Sequence, residues 1–272
     1  MPELPEVETT RLGVLPHLRG RAVLSVIVRR GDLRLPVDPG LEGLVGCRFI
    51  GVRRRSKYLL ADVEGGRTLL IHLGMSGSLR VVPEADEWRK HDHVGLSLDT
   101  GRQLRYHDPR RFGMILVHET AMEVGHSLLQ HLGPEPLEEE FSGVYLHSVV
   151  RRRRCPIKQA IMDATVVVGV GNIYASEALF RAGIRPVTQA VRVSRARCDL
   201  LVGSIKEVLA EAISQGGTTL RDFLRSDGEP GYFRQRLMVY GRGGEPCRVC
   251  GEPIRQRVLG GRSTFWCRVC QS

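Results

Sequence analysis

CRVCGEPIRQRVLGGRSTFWCRVC, residues 247–270, holds four cysteines in the spacing C-x2-C-x16-C-x2-C. Two knuckles at that spacing can close a tetrahedral thiolate shell around zinc. The RQRVLGGRSTFW between them reads as a β-hairpin turning at Gly260-Gly261. The expected ligands of one Zn2+ are therefore Cys247, Cys250, Cys267 and Cys270. A filled four-thiolate shell leaves no free attacking sulfur, so the metal is structural and a redox role is disfavoured. Four unrelated cysteines are the alternative, which the doubled knuckle argues against. Arg242, Arg248, Arg255, Arg257, Arg262 and Arg268 surround the motif against only Glu245 and Glu252. Arg262 stands just past the turn, where a side chain can reach a nucleic-acid groove. A zinc ribbon alone, however, indicates only an interaction module.

Working upstream, helices dominate. Ser194 can cap a long helix whose apolar face includes Leu201, Ile205, Val208, Leu209 and Ala212, ended by Gly216-Gly217. VVGVGNIYASEALF, residues 167–180, suggests a tight inter-helix turn with Asn172 capping a new helix. Backbone N–H groups at such a start suit a phosphate. The GxG lacks the third glycine of a dinucleotide fingerprint, so by itself the signal is weak. The Arg151–Arg154 run and Lys158 would make that face cationic; a merely solvated basic face reads equally well.

LGPEPLEEE, residues 132–140, has the proline and acid content of a linker. Before it the chain reads as short strands at 22–28, 57–63, 67–73, 78–82, 93–98 and 114–117. Gly65-Gly66 and Thr100-Gly101 mark hairpin turns between them. This spacing suggests a sandwich or barrel. A helix opens the chain, with Pro5 in its first turn and an apolar stripe through Val7, Leu12 and Leu15.

The first residues, MPELPE, carry a second chemical signal. Removal of Met1 is expected because Pro2 is small, and it exposes a secondary amine. An α-amino group titrates at about 7.7–8.0, so a neutral fraction exists near pH 7. Such an amine can attack an electrophilic sugar carbon and form an iminium, with Glu3 as proton-transfer partner. Taken by itself the stretch reads first as a helix start. The clusters Arg53-Arg54-Arg55-Ser56-Lys57, Lys90-His91-Asp92-His93 and His107-Asp108-Pro109-Arg110-Arg111-Phe112 add cations without metal-ligand spacing. Met75 and Phe112 are candidate wedges for unstacking bases, or, taken alone, core residues.

Composition bounds these readings. The chain has 272 residues, enough for two domains, and a formal net charge of +10 from 36 arginines and 4 lysines against 30 acids. The excess is uneven: residues 1–135 carry 19 basic and 17 acidic side chains, residues 136–272 carry 21 and 13. A polyanionic partner or an Arg-rich solvated face would each explain it. No apolar run approaches the roughly 18 residues of a membrane span, and the start does not read as a secretory signal. The odd total of seven cysteines argues against a disulfide framework.

PELPEVET, SKYLL, HLGMSGSLR, KHDHV, DPRRFG, LGPEPL, VVGVGNIYASEALF, GGTTLRDF, SDGEPGYF, YGR and GRSTFWC follow one another along the chain. Together they closely resemble bacterial formamidopyrimidine-DNA glycosylase, essentially end to end. The resemblance implies an α+β fold: an N-terminal β-sandwich domain with flanking helices at 2–131, a linker at 132–142, a helix–two-turn–helix domain at 143–236 and a zinc finger at 237–272. It implies a bifunctional glycosylase and abasic-site lyase that removes oxidised purines from damaged double-stranded DNA. Pro2 would be the nucleophile at C1′, Glu3 the general acid, Lys57 the residue tied to β-elimination and Arg262 the one tied to δ-elimination. Met75, Arg110 and Phe112 would fill the vacated base stack. His72, His91, Arg154 and Asn172 match backbone-contacting positions, and Lys158 a lysine near the damaged site. The loop around Ser226–Phe233 matches the segment that covers the extruded base. A cytoplasmic monomer is the simple expectation. Ala164 and Thr165 depart from the family pattern, where a longer amide and a basic residue are expected, and the arginine quartet replaces a lysine-richer run. The rival readings are an endonuclease VIII-type glycosylase for oxidised pyrimidines and a non-catalytic zinc-ribbon DNA-binding protein. Leu4 and the DPRRF stretch favour the purine type, and intact Pro2, Glu3 and Lys57 favour an enzyme.

Overall fold

The computed structural model describes residues 2–217 and 237–272. They belong to two compact units, one of residues 2–130 and 215–217, the other of residues 131–214 and 237–272. The loop matched at Ser226–Phe233 lies outside the described residues.

The first unit is a β-sandwich of two four-stranded antiparallel sheets. One sheet runs in the order β1 (Val23–Val28), β6 (Asp92–Leu98), β7 (Arg102–His107), β5 (Ser78–Pro83). The other runs β2 (Phe49–Arg55), β3 (Tyr58–Val63), β4 (Arg67–His72), β8 (Met114–Glu119). Gly65 and Gly66, at φ +84° and +72°, turn β3 into β4 through backbone that a Cβ would strain. The pleat then sends Leu59, Ala61, Val63, Leu69 and Ile71 inward, where they meet Leu79, Val81, Leu96 and Leu104 in one apolar core. Helix α1 (Leu4–Leu18) closes that core with Val7, Val14 and Leu18.

Three sequence expectations change here. Leu12, expected on the apolar face of α1, is 47% exposed, and the buried stripe runs through Leu4, Val7, Val14 and Leu18. Strands β2 and β7 were absent from the sequence reading because FIGVRRR and RQLRYH look like charged surface. β7 is nevertheless central, pairing with both β5 and β6. Its Arg105 has no exposed surface and donates to the Glu84, Asp86 and Glu87 carbonyls and to Gln103 Oε1. The guanidinium also lies 4.6 Å from the Trp88 ring centroid. Hydrogen bonding thus makes a buried charge tolerable.

The second unit is helical, with α2 (Gly143–Val150), α3 (Ile157–Ile161), α4 (Asn172–Arg181) and α5 (Arg195–Ser214). Residues 131–142 pack with these helices; Phe141 is fully buried and the Gly133 N–H donates to the Ala164 carbonyl at 2.8 Å. The unit ends in the hairpin of β9 (Arg255–Leu259) and β10 (Arg262–Trp266). Gly260 and Gly261, at φ +55° and +73°, form its two-residue turn. The chain end is anchored: Gln271 accepts from the Cys267 N–H and donates to the Ile184 carbonyl, at 2.9 and 2.8 Å. Glu177 of α4 accepts three backbone N–H groups, from Met238, Val239 and Tyr240, at 2.7 to 3.0 Å.

Leu69 is fully buried on β4, which pairs with both β3 and β8. Leu69→Ala should therefore lower unfolding free energy by about 2–5 kcal/mol in denaturant titration.

Candidate functional site

In the first unit the site begins at the start of α1. Glu3 is the N-cap, and Glu6 reaches back to accept the Glu3 N–H at 2.8 Å. The Glu3 side chain accepts the Glu6 N–H in return, a reciprocal capping box. Pro2, Glu3 and Glu6 are all buried. Glu8, one turn on, accepts Arg54 Nε at 3.0 Å, while Arg54 also donates to the Ser56 carbonyl at 3.1 Å. Ser56 sits at φ +56°, the left-handed region, in the two-residue turn that presents Lys57 between β2 and β3. Helix α1 and the Lys57 turn are therefore held to each other by a partly buried network.

His72 stands across the β3–β4 pairing from Tyr58, with ring centroids 5.1 Å apart. Its Nδ1 accepts the Gly74 N–H at 3.0 Å, which requires the neutral Nε2–H tautomer. Burial, then the positive charges of Lys57 and Arg34, push its pKa down to about 4. His72 is thus a neutral hydrogen-bond donor at pH 7, beside Lys57.

Met75 and the pair Arg110 and Phe112 come from two loops of this unit. Neither apolar side chain joins the core: Met75 is 38% exposed and Phe112 45%. The Arg110 guanidinium lies 5.0 Å from the Phe112 ring centroid. His91 lines a separate cationic hollow with Arg29, Arg30, Lys90, His93 and Arg111. Asp92 behind it is buried; burial alone would raise its pKa, but hydrogen bonds from His107, Arg80 and the Arg89 N–H hold it well below the usual carboxylate range.

In the second unit, Lys158 is buried and donates to Asn172 Oδ1, Thr264 Oγ1 and the Ser263 carbonyl at 2.6, 2.9 and 3.2 Å. Asn172 also donates to the Ser263 carbonyl. Asn172 does not cap α4 as expected: it is the first helical residue, Gly171 holds the N-cap position, and the amide is turned toward Lys158 and β10. Arg262, exposed at the start of β10, lines one hollow with Lys158, Gln159, Met162, Asp163 and Leu259. Arg154 is exposed between α2 and α3. Thr165, one of the two departures, is engaged locally, bonding Asp163 at 2.8 Å and accepting from Arg153 at 3.2 Å.

The four knuckle cysteines bring their sulfurs within 4.8 Å of one another, Cys247 to Cys270 at 3.9 Å and Cys250 to Cys267 at 3.4 Å. A tetrahedral shell with Zn–S of about 2.3 Å needs sulfurs about 3.8 Å apart, so this donor set fits zinc. Phe180 of α4, Ile254 and Phe265 pack around Cys247 and Cys267 in a small core. Among the described residues no other cluster has a metal-binding donor set. The sequence reading gave no role to Asp108, Ser76 or Glu177, whose contacts are set by the tertiary fold.

A β-sandwich whose first helix is capped by Glu3 next to Pro2, with a helical unit ending in a four-thiolate hairpin, defines a two-part zinc-finger protein of the helix–two-turn–helix class. Family comparison agrees along the chain. Residues 1–115 match the formamidopyrimidine-DNA glycosylase N-terminal domain, residues 132–224 its H2TH domain, and residues 244–272 the zinc finger found in FPG and IleRS. The chain belongs to the formamidopyrimidine-DNA glycosylase family. It is 56% identical over 272 residues to formamidopyrimidine-DNA glycosylase of Stenotrophomonas maltophilia and 58% to that of Thioalkalivibrio sulfidiphilus, covering 100% of each chain. The MutM (Fpg) protein of Thermus thermophilus superposes with a TM-score of 0.90 at 40% identity, over 99% of this chain and 98% of that one. Lactococcus lactis Fpg in complex with Fapy-dG-containing DNA gives 0.91 at 32% identity, over 99% and 100%. The four cysteines are accordingly the ligands of one structural zinc. Among the described residues no helix is long and apolar enough to cross a membrane.

Three outcomes follow from this geometry. The His72 ring should stay neutral, with hydrogen on Nε2, down to about pH 5 in nitrogen-resolved NMR, because its folded pKa lies below the unfolded value of about 6.5. The same difference makes folding stability fall as pH drops from about 6.5 toward 4, since the unfolded ring takes up the proton first. Cys267→Ser should abolish stoichiometric zinc in metal analysis and loosen the 247–272 segment in hydrogen exchange, because metal affinity here is folding free energy.

Proposed function

We propose that the chain is a bifunctional base-excision-repair enzyme that removes oxidised purines, 8-oxoguanine and formamidopyrimidines, and then cuts the strand at the resulting abasic site. The observation that carries this reading is the start of α1, where the capping box with Glu6 fixes Glu3 directly beside a buried Pro2. The relatives' names, and the Lactococcus lactis Fpg complexes with Fapy-dG-containing and abasic-site-containing DNA, support it.

With Met1 removed, Pro2 offers a secondary amine whose neutral fraction is appreciable near pH 7. Its lone pair attacks C1′ of the damaged nucleotide while the base leaves with the electrons of the glycosidic bond, and Glu3 delivers a proton to the opening sugar ring oxygen. The product is an iminium joining Pro2 nitrogen to C1′. That cation draws electrons from C2′, so loss of a C2′ proton expels the 3′ phosphate. A second elimination expels the 5′ phosphate, and water releases the sugar remnant and restores the amine. Lys57 serves the first elimination and Arg262 the second. The strand is left with a one-nucleotide gap and phosphate ends.

C1′ is reached only when the nucleotide turns out of the duplex. Met75, Arg110 and Phe112 are exposed and suited to occupy the vacated stack. His72, as a neutral donor, and His91, Arg154 and Asn172 grip the backbone, and Lys158 lies near the damaged site. The basic excess of the second half fits phosphate contacts by the Arg151–Arg154 run and the zinc-finger arginines. The enzyme would work as a cytoplasmic monomer on damaged double-stranded DNA.

The test is cleavage of a duplex holding 8-oxoguanine opposite cytosine. The purified protein should leave a one-nucleotide gap, and a glycine inserted ahead of Pro2 should abolish cutting while duplex binding persists. Undiminished cutting by the extended protein would overturn the assignment.

A further inference from the structure

The loops that carry Met75, Arg110 and Phe112 share one buried carboxylate. Asp108 has no exposed surface. Its Oδ1 accepts the Ser76 hydroxyl at 2.8 Å and the Arg110 N–H at 3.3 Å. Its Oδ2 accepts the Gly113 N–H at 2.9 Å and the Tyr106 hydroxyl at 3.1 Å. Ser76 Oγ accepts the Arg110 N–H as well, at 3.2 Å. The backbone of Asp108 adds two ties to β6 and its approach: its N–H donates to the His91 carbonyl at 3.0 Å, and its carbonyl lies 2.8 Å from His93 Nε2. One side chain therefore fixes the neighbour of Met75, Arg110 itself and the neighbour of Phe112.

The surrounding backbone is built to the same end. Gly74, at φ +63°, packs against the Phe112–Gly113 peptide so closely that a Cβ would overlap it. A Cβ on Gly113 would overlap the Tyr106 hydroxyl and the His72 carbonyl. Arg111 between the wedge residues lies at φ +57°, a conformation that costs a residue with a Cβ, and it pairs with Asp32. Strain persists only where neighbours over-determine it, and Asp108 supplies four of the local bonds.

We infer that Asp108 is the positioning residue of the wedge: its carboxylate locks both loops into one preformed unit, so that Met75, Arg110 and Phe112 enter the duplex together instead of being ordered on DNA. The inference rests on the wedge reading given under Proposed function. Preorganisation moves the ordering cost out of the encounter with DNA and into folding. Asparagine keeps the shape of Asp108 but has only one acceptor oxygen, and its amide would face a donor N–H.

The experiment compares Asp108→Asn with the parent protein on two substrates. One is a duplex with 8-oxoguanine opposite cytosine, where a stacked base must be displaced. The other is a single-stranded oligonucleotide with a preformed abasic site, where nothing has to be displaced. Single-turnover excision from the duplex should fall roughly 10- to 100-fold, while cleavage of the abasic strand stays within about two-fold. A 2-aminopurine placed opposite the lesion should lose its binding-dependent fluorescence change in the variant. Equal losses on both substrates, or no loss on either, would overturn the proposal. If Asp108→Asn fails to fold, Ser76→Ala, which removes the hydroxyl link between the loops, is judged by the same two-substrate ratio. Failure of the reading beneath is recognisable without Asp108: parent protein inactive on both substrates, or a Met75→Ala, Arg110→Ala, Phe112→Ala triple variant that excises from duplex at the parental rate.

Discussion

The reciprocal cap between Glu3 and Glu6 is the interaction on which the rest of the first unit depends. A chain terminus is normally the least ordered part of a domain. Here the Glu3 N–H is held by Glu6 at 2.8 Å, and the helix that follows is driven into the sandwich core by Val7, Val14 and Leu18. Pro2 and Glu3 are thereby attached to a helix that is packed on the sandwich core. Glu8 and Arg54 extend the same support to the Ser56 carbonyl and so to the turn carrying Lys57. The mechanism proposed for Pro2 needs this arrangement, because a frayed end would not hold the amine and Glu3 against one sugar.

The second unit solves a related problem with different means. A 26-residue tail has too little apolar surface to hold itself, so four thiolates close it on itself, Gln271 ties it to Ile184 just past α4, and Phe180 of α4 packs in its small core with Phe265. Glu177 then fixes residues 238–240 by three backbone bonds; burial pushes its carboxyl up, against the donors that favour the charged form. Lys158 and Asn172 bond β10 one and two residues beyond Arg262, at Ser263 and Thr264. The position of the exposed arginine is thus set from inside the helical unit as well as by the metal.

Much of this was legible in the sequence, for identifiable reasons. The doubled C-x2-C states its geometry directly, and the Gly-Gly turns mark hairpins because few other residues tolerate left-handed backbone. The apolar strands 57–63 and 67–73 announced β3 and β4. β2 and β7 stayed hidden because burial was read from charge, whereas Arg105 shows that a guanidinium can be interior when three carbonyls, an amide and an indole face receive it. Leu12 misled because a three- or four-residue stripe can be drawn through several faces of a helix with weak patterning. Asn172 and Asp108 were visible as residue types, but their partners lie up to 91 residues away, for Asn172 at Ser263, and no local rule finds them.

The central claim is that the amine of Pro2, and no lysine, bonds to the sugar. It is tested most directly by reducing the reacting complex with borohydride on 8-oxoguanine-containing duplex and mapping the stable adduct by peptide mass spectrometry. The account predicts one DNA-linked peptide, with the sugar remnant on the nitrogen of Pro2 in protein that has lost Met1. An adduct on Lys57 or Lys158, or no adduct from protein with a verified free Pro2, would contradict it.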